Sequence, residues 1–530
     1  MNYLRLTGVS TGTIVLRNHL LTSYRQSQIG ILNEWEEAMR KIILVALVIV
    51  MLASLAVDAQ DRKTILDAAD RALGSTNLTS IQYSGVGTNN AFGQAYAPGG
   101  PWPTFKVTSY TASINYTTPA MRVELERTNP DGQIRGGGGL PLLSPQKQIQ
   151  VISGSFAWNV AGQNATPAQG TVEDRIRAIW MTPHGVIKAA QNAGANSKVT
   201  RQRAGDGKTV STIVYPVSGI DVKATLNSDN MVERVDTRGN DPVLGDMITE
   251  TIYSDYRDFG GVKFPTHIEQ KQGGFPTLTL TVTDVRPNAN VVIDVPQSVL
   301  QAPSAAPVPV DTRKLAEGVY HFSGGTLHSV AVEFKDFIVL FDPPQNDGRA
   351  RDIFEAARKA IPNKPVKYVI NTHHHFDHLG GLRYDVAEGA TIITQTANKP
   401  FYEQLLARPH TISPDRLAQS PKKAVIETVD ETRVLTDGIR KLEIYRIQGF
   451  SHVDTMLMGY LPSEKILIEA DAYNPPPADA PPAPTVSPLY LTLFDNIQRL
   501  KLDVVQIAPF HGRLATMNDL LTAIGKAPAD

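Results

Sequence analysis

The sequence predicts a chain of two parts, a mainly antiparallel β domain followed by an α/β domain. In residues 60–300, apolar and polar residues alternate over short segments that are separated by clusters of turn residues. A Pro/Ala-rich segment, 301–311, has the composition of an extended linker. In residues 312–530, strand-like segments alternate with helix-like segments. A chain of 530 residues is long enough for two domains with separate cores.

The overall composition excludes several classes of function. The formal net charge is -1, so the chain lacks the basic surface that a nucleic-acid partner requires. There is no cysteine, which excludes disulfides, thiolate metal ligands and cysteine nucleophiles together. We therefore expect a small-molecule substrate and no nucleic-acid partner.

The amino-terminal region contains the pattern of a secretory signal peptide that begins at Met39. Arg40 and Lys41 precede an apolar run, 42–57, and small residues follow it up to Ala59. The run is short for a membrane span, although an uncleaved anchor is the alternative. No cysteine follows the run, so a lipid-modified amino terminus is excluded.

The segment upstream of Met39 is interpreted as a mis-called start. The codons of Glu36 and Glu37 can supply a purine-rich ribosome-binding sequence at a suitable distance from Met39. We therefore expect residues 1–38 to be absent from the mature protein and residues 39–59 to be cleaved. The product would be periplasmic or secreted and would have no stable membrane span.

The first part of the chain is predicted to be a sheet with a few helices. Alternation is clear in Ala120–Arg127 and Thr277–Val285, and Ser228–Asn230 has the composition of a hairpin turn. Only two stretches, 61–74 and 172–191, have a helical pattern.

The end of this sheet resembles the periplasmic lipoprotein carriers of the Lol system. Residues Tyr253–Val291 have their order of strand, Gly turn, "KFPT", strand, Gly turn and strand. In those carriers a curved sheet encloses an apolar cavity for acyl chains, so the resemblance implies an acyl chain or lipid as a partner. A packed core or a spacer is the alternative, because apolar alternation in a strand usually signifies burial.

The second part is predicted to alternate strands and helices. We expect a hairpin at Ser329–Asp342, a helix at 350–361 and a buried strand at Val366–His373. A later hairpin turns at Pro462–Lys465, and a Pro-rich insertion, 474–488, either covers the cleft or is solvated. Sites in such layers lie where strands end, and each candidate ligand below falls at such a position.

The segment "VINTHHHFDHLGG" contains four of the twelve histidines of the chain. In an extended segment, positions i and i+2 project to the same side, so His373 and His375 can converge on one ion while His374 points away. Asp377 and His378 follow at a turn, where adjacent residues can share a second ion. The pattern predicts a metal site.

Three further candidate ligands follow strands much later in the sequence: His452, Asp471 and His511. Zinc binds imidazole and carboxylate ligands and keeps an open position for water in catalytic sites. Iron and manganese accept the same ligands.

These residues resemble the metallo-β-lactamase superfamily, whose His-x-His-x-Asp-His motif is present at His373–His378. The resemblance covers residues 312–530 and implies a four-layer αββα sandwich. It implies two Zn²⁺ ions per chain, the first held by His373, His375 and His452, the second by Asp377, His378 and His511, with Asp471 between them and Asp342 in a structural role.

The function that we expect is an exported dinuclear zinc hydrolase that attacks an ester, lactone or amide bond with a metal-bridging hydroxide. Asp377 would pass the proton to the leaving group. A β-lactamase is the alternative, although established β-lactamases of this fold carry Cys or Ser where Asp471 stands. An alternative of another class is a periplasmic lipid or lipoprotein carrier with an auxiliary second domain.

Some neighbouring residues have weaker assignments. Lactonases of the superfamily have a tyrosine soon after the bridging aspartate, so Tyr473 is a candidate substrate contact; packing is its alternative. We expect His374 to be packed and His321 and His328 to lie on the surface; a position at the edge of the pocket is the alternative for these two.

Overall fold

The computed structural model describes residues 60–527 except 133, 204–208, 303–307 and 481–484, together with positions 35, 39–41 and 43–44. The proposed mis-called start, the signal peptide and half of the linker therefore lie largely outside the described residues and stay predictions. The chain divides into two compact units between Asp67 and Ala68. All that follows concerns the second unit, apart from one helix that begins at residue 60. None of the helices in the described part of the chain is long and apolar enough to cross a membrane.

The first part of the chain forms one sheet of thirteen antiparallel strands, as the alternation predicts. Its order is β6-β5-β4-β3-β2-β1-β13-β12-β11-β10-β9-β8-β7, so neighbours in the sheet are mostly neighbours in sequence. The strands are β1 Ser80–Asn90, β2 Thr104–Asn115, β3 Ala120–Thr128, β4 Gln146–Ser153, β5 Phe156–Ala161, β6 Asn164–Pro167, β7 Lys198–Arg203, β8 Thr209–Val217, β9 Ile220–Leu226, β10 Val232–Asp241, β11 Gly245–Asp258, β12 Lys263–Gln272 and β13 Phe275–Pro287.

The helices of this part are short, and one prediction about them was incomplete. They are α1 at 60–73, α2 Val172–Trp180, α3 Pro183–Ala193 and α4 Gln297–Leu300. The stretch 172–191, predicted as one helical region, is two helices because Pro183 cannot continue a helix from the preceding turn. Thr182 caps α3 instead, since its hydroxyl accepts a hydrogen bond from the amide of Gly185 at 3.2 Å.

The sheet is not fully packed. A cavity of about 600 Å³ lies against strands on both sides of β1 and β13 and against α2. Its wall is of mixed character, with apolar side chains such as Met121 and Leu278 beside polar ones such as Gln148 and Thr251. A volume of this size suits a small ligand.

The second part is a four-layer αββα sandwich, as the resemblance implied. One sheet has the order β14-β15-β16-β17-β18-β19-β20 and the other β21-β22-β23-β24-β25-β26. The strands are β14 Asp311–Ala316, β15 Val319–Ser323, β16 Ser329–Glu333, β17 Ile338–Phe341, β18 Val366–Ile370, β19 Thr391–Gln395, β20 Ile426–Val429, β21 Thr432–Thr436, β22 Lys441–Arg446, β23 Leu457–Leu461, β24 Ile466–Glu469, β25 Gln506–Pro509 and β26 Ala515–Thr516.

Helices cover the outer face of each of these two sheets. They are α5 Asp347–Ala360, α6 Phe376–Leu379, α7 Leu382–Glu388, α8 Lys399–Leu406, α9 Arg416–Gln419, α10 Pro488–Leu500 and α11 Met517–Ala523. One apolar core fills the space between the sheets and continues onto α10 and α11. A second lies between the first sheet and α5, α7 and α8.

Parallel pairing determines where the site residues lie. Strand β17 pairs in parallel with β18, and β24 pairs in parallel with β25. The carboxyl ends of paired parallel strands lie at the same edge of a sheet. The residues that directly follow these strands are therefore close together in space, although they are far apart in sequence.

Candidate metal centre

All seven predicted metal ligands lie together at the carboxyl ends of these strands. The histidine segment follows β18, with Asp377 and His378 in the single turn of α6. His452 lies in the loop between β22 and β23, Asp471 follows β24, and His511 follows β25. Among the residues that the structure describes, three groups of ligand-type side chains are close enough to hold an ion, and two of them are the two triads that the resemblance implied.

The first triad, His373, His375 and His452, surrounds a common point. The ring centroid of His375 lies 4.5 Å from that of His373 and 4.7 Å from that of His452. Nε2 of His373, Nδ1 of His375 and Nε2 of His452 are buried and have no hydrogen-bond partner. A buried polar atom without a partner is costly, so three of them that converge indicate a ligand that the three share.

In two rings of this triad, a contact of the opposite nitrogen leaves the unpaired nitrogen with a free lone pair. Nδ1 of His373 lies 3.1 Å from the hydroxyl of Thr372, and Nε2 of His375 lies 2.9 Å from the carbonyl oxygen of Ala95. The Ala95 carbonyl can only accept, so Nε2 of His375 carries the proton and Nδ1 presents a lone pair. Such contacts orient the rings of metal-binding histidines.

The second triad, Asp377, His378 and His511, is held in the same way. Nδ1 of His378 donates to Asp342 at 2.8 Å, and Nδ1 of His511 donates to the carbonyl oxygen of Thr326 at 3.1 Å. The Nε2 atoms of the two rings then face each other at 3.1 Å. Two lone pairs at that distance repel unless a cation or proton lies between them.

Asp471 lies between the two triads. Its carboxylate oxygens are 3.5 Å from Nε2 of His373 and 2.9 Å from Nε2 of His378. Burial opposes the charge of this carboxylate, but His378, His511 and His452 outweigh burial and hold the pKa of Asp471 well below its usual range. Asp471 has a φ of 55°, a strained conformation that is concentrated at functional sites in proteins.

Asp342 supports the site from below. Its carboxylate is fully buried and accepts from the amide of Thr372 at 2.7 Å, from the Thr372 hydroxyl at 2.7 Å and from the Asn371 side chain at 3.0 Å. Together with the bond from His378, the Asp342 carboxylate accepts four hydrogen bonds. Asp342 therefore fixes both the chain before the histidines and the ring of His378, as the structural role implies.

The residues present fit two metal ions by their chemistry. Imidazole nitrogen and carboxylate oxygen suit zinc, and iron or manganese as well. Buried neutral histidines are also what a cation requires: burial and the neighbouring rings hold the pKa of His373 and His375 well below the usual range. His378 differs, because the nearby carboxylates outweigh burial and raise its pKa.

A groove of about 380 Å³ opens beside the second triad. Asp377 and His511 line it together with Thr326, Leu327 and Gln345. Asp241, the last residue of β10 in the thirteen-stranded sheet, and the next two residues line it as well. The groove therefore has walls from both parts of the chain.

The structure does not bring every candidate to this groove. Tyr473 is 1% exposed, and its ring packs on Tyr490 at 4.8 Å, so this placement does not support a substrate contact. His374 is packed, as expected: its ring nitrogens contact the Ala95 carbonyl and the Thr455 hydroxyl. The expectation of surface positions for His321 and His328 was wrong, because both are buried and pack on each other.

Sequence reasoning missed Gln94 and Ala95, which precede β2 and contact Asp377, His374 and His375. Nothing in the residue types marks either of them. The only sequence signal near them is the density of glycine, at Gly93 and in 136–139, which permits close approach of two backbones.

The fold and the paired triads define an αββα protein with a candidate two-ion centre. Residues 325–508, about a third of the chain, match the family model described as the metallo-beta-lactamase superfamily. This domain therefore belongs to that superfamily, a hydrolase family.

Individual relatives are distant. A linear primary-alkylsulfatase of a Pseudomonas species is 38% identical over 76 residues, which are 14% of this chain and 11% of that protein. The chain thus spans about a tenth of the length of the curated relative it matches. Two similar solved structures are the metallo-β-lactamase FIM-1 of Pseudomonas aeruginosa in its mono-zinc form and a metallo-β-lactamase of Pontibacter korlensis. They are 18% and 20% identical, with TM-scores of 0.32 and 0.30. Each match covers 41% of this chain, and 94% and 97% of the respective relatives.

Proposed function

We propose that the protein is a metal-dependent hydrolase with two divalent ions, zinc in the first instance, at the two triads. The observation that supports this most directly is the convergence of three buried ring nitrogens that have no partner. A structural role of the histidines would leave these atoms paired with neighbouring protein groups, as Nδ1 of His373 and Nε2 of His375 are.

The residues of the chain have separate tasks in this proposal. His373, His375 and His452 hold one ion, Asp377, His378 and His511 the other, and Asp471 both. When bound, the ions activate water at neutral pH and polarise the scissile bond. Asp377 is half-exposed at the groove, where its carboxylate can carry a proton to the leaving group.

The substrate class that we propose is an ester, lactone or amide of a small molecule. The alkylsulfatase named above acts on alkyl sulfates by its name, so a sulfate ester belongs in the same test set. A β-lactam remains the alternative, weakened by Asp471 at a position where established β-lactamases of this fold carry Cys or Ser.

The test combines metal analysis with hydrolysis of a substrate panel by the same sample. The purified protein is expected to hold about two equivalents of metal. Carboxylate ester, lactone, β-lactam and alkyl sulfate probes are compared for wild type, Asp377→Ala and the exposed control Asp229→Ala. Asp377→Ala should lower the rate by about a hundredfold or more, because proton transfer by a positioned group contributes about 10²–10⁴. Protein that holds no metal, or an Asp377→Ala variant as active as wild type, contradicts the proposal.

A second candidate function is a carrier of an acyl chain or lipid in the thirteen-stranded sheet. The cavity favours it by its size, because its volume of about 600 Å³ lies within the range of ligand pockets in proteins. Titration with a fluorescent fatty acid tests it: saturable binding by metal-free protein that hydrolyses nothing favours the carrier over the hydrolase.

We also propose that the protein is exported to the periplasm or beyond. The basis is the charged residues at Arg40 and Lys41 before the apolar run 42–57. Amino-terminal sequencing from the native host should find a start close to Gln60. A mature protein that retains residues 42–57 contradicts cleavage.

A further inference from the structure

Two loops of the thirteen-stranded sheet lie directly on the metal-binding segment. The first, 91–103, joins β1 to β2, and the second, 129–145, joins β3 to β4. Gly93 has a φ of +70°, and a Cβ atom there would lie 2.3 Å from the ring of Phe376. In the second loop, the amide of Gly136 donates to the carbonyl oxygen of Ser451 at 2.9 Å. The backbones approach so closely because glycine lacks a side chain.

Gln94, in the first loop, is held at both ends of its side chain. Its Oε1 accepts from the amide of Gly138 at 2.9 Å, and its Nε2 donates to Oδ1 of Asp377 at 2.7 Å. The Gly138 amide can only donate, so it fixes the orientation of the Gln94 side chain with the NH₂ group toward Asp377. The backbone carbonyl of Gln94 also accepts from the amide of Gly137 at 3.0 Å.

The two oxygens of Asp377 consequently have different surroundings. Oδ1 binds Gln94, whereas Oδ2 lies 3.6 Å from Nε2 of His378 and 3.8 Å from Nε2 of His511. The amide thus binds the oxygen that faces away from the second triad and leaves the other oxygen directed into it. Asp377 is the most exposed carboxylate of the centre, so the protein packing around it restrains it least.

We propose that Gln94 is a positioning residue of the metal centre, which the thirteen-stranded sheet supplies to hold Asp377 with Oδ2 directed at the second ion. This inference rests on the proposed function, since it concerns a neighbour of the proposed ligand. It means that the sheet is a part of the hydrolytic site and not a spacer.

The adjacent residue supports the same arrangement. The carbonyl oxygen of Ala95 lies 2.9 Å from Nε2 of both His374 and His375. One short segment therefore orients a carboxylate of the second triad and an imidazole of the first. Partners of this kind, behind the ligands, typically contribute 10–100-fold to metal affinity or activity.

A merely structural role is the competing explanation, in which Gln94 ties two loops together and the centre is indifferent to it. Asn90 provides the matched control, because it stabilises the same loop without contacting the centre. Its side chain donates to the Thr104 hydroxyl at 2.8 Å and to the carbonyl oxygen of Trp102 at 3.3 Å.

The experiment measures zinc affinity by competition with a chromophoric chelator, so that two dissociation constants are obtained for each protein. In Gln94→Met the side chain keeps its length and loses both hydrogen bonds. In Gln94→Asn it keeps the amide but is too short to reach Asp377. Both variants should bind the second ion about 10–100-fold more weakly and the first ion with little change. Asn90→Ala should match wild type.

The outcomes separate the inference from the proposed function. Unchanged dissociation constants in both Gln94 variants overturn the positioning role. Equal weakening of both ions in the Gln94 variants and in Asn90→Ala also overturns it, in favour of loop stability. Wild-type protein that binds no zinc overturns the proposed function itself. Where a hydrolysed substrate is known, the Gln94 variants should lower kcat more than they raise KM.

Discussion

Both parts of the molecule bury histidines, but the buried histidine of the first part is isolated, whereas several of those in the second part converge. In the thirteen-stranded sheet, His184 is fully buried, stacks on Phe264 and leaves its Nδ1 without a partner. In the αββα part, His373, His375 and His452 are also buried with one unpaired nitrogen each. Only the second set converges, since His184 belongs to none of the metal-ligand groups found among the described residues. An unpaired nitrogen alone therefore does not indicate a metal site; the convergence of several such nitrogens does.

Topology accounts for this difference. The thirteen strands are antiparallel and mostly pair with their neighbours in sequence, so the sheet brings together residues from consecutive hairpins. In the αββα part, parallel pairs place Asp342 beside the histidine segment and Asp471 beside His511. Crossover connections thus bring distant acids and imidazoles to one edge.

The first prediction concerns the buried carboxylate of Asp342 in the αββα part. Asp342→Asn keeps an acceptor for Thr372 but places an NH₂ group where His378 Nδ1 donates now. We expect metal affinity to fall by about 10–100-fold, as for other partners of metal-binding histidines. Chelator competition measures the loss.

The control for Asp342→Asn is Asp336→Asn, an exposed position in the same hairpin. It should leave the affinity unchanged. If Asp342→Asn binds metal as tightly as wild type, the buried carboxylate does not orient His378, and the contrast between the two parts loses its basis.

The second prediction tests whether the two parts meet at the site. A Cβ atom at Gly137 would lie 2.1 Å from Oε1 of Gln94 and 2.6 Å from Cε1 of His375. Gly137→Ala should therefore displace both and reduce metal affinity by about tenfold, the lower end of the range for such contacts. The same chelator competition detects it.

Gly170→Ala is the matched control, because a Cβ atom there meets nothing within 4 Å. If the two alanine variants behave alike, the loop of the sheet does not press on the centre.

The sequence predicted much of the site but little of its surroundings. The alternation of side chains in an extended segment was enough to predict that His373 and His375 project to one side and His374 to the other, because this geometry is local. The αββα sandwich followed from an ordered set of motifs and is confirmed. The contact from Gln94 to Asp377 crosses 283 positions and involves an ordinary polar residue, so no local pattern marks it. For Tyr473 too, the distance from Asp471 in sequence says nothing about which way its ring packs, so the sequence left both substrate contact and packing open.

The third prediction concerns the stability of the folded protein and His184, the isolated histidine. Burial lowers its pKa from the ordinary value of 6.5 to about 4. Between these two pH values, the His184 imidazole binds a proton in the unfolded chain but not in the folded protein. The contribution of His184 to the pH dependence is therefore a stability that is complete above pH 6.5 and is lost as the pH falls toward 4. The whole change corresponds to about 3 kcal/mol, since one pKa unit is about 1.4 kcal/mol.

Replacing His184 by glutamine isolates this contribution, because the variant cannot titrate at that position while the metal-site histidines titrate in both proteins and cancel in the difference. Urea unfolding of wild type and His184→Gln is measured at steps from pH 7.5 to pH 4.5. The difference in unfolding free energy should change steadily below pH 6.5, with wild type losing stability faster than the variant. Parallel curves would mean that His184 is charged or hydrated in the folded protein. The surroundings of His184 would then be as hydrated as those of a surface histidine. The contrast with the αββα part would have to rest on convergence alone.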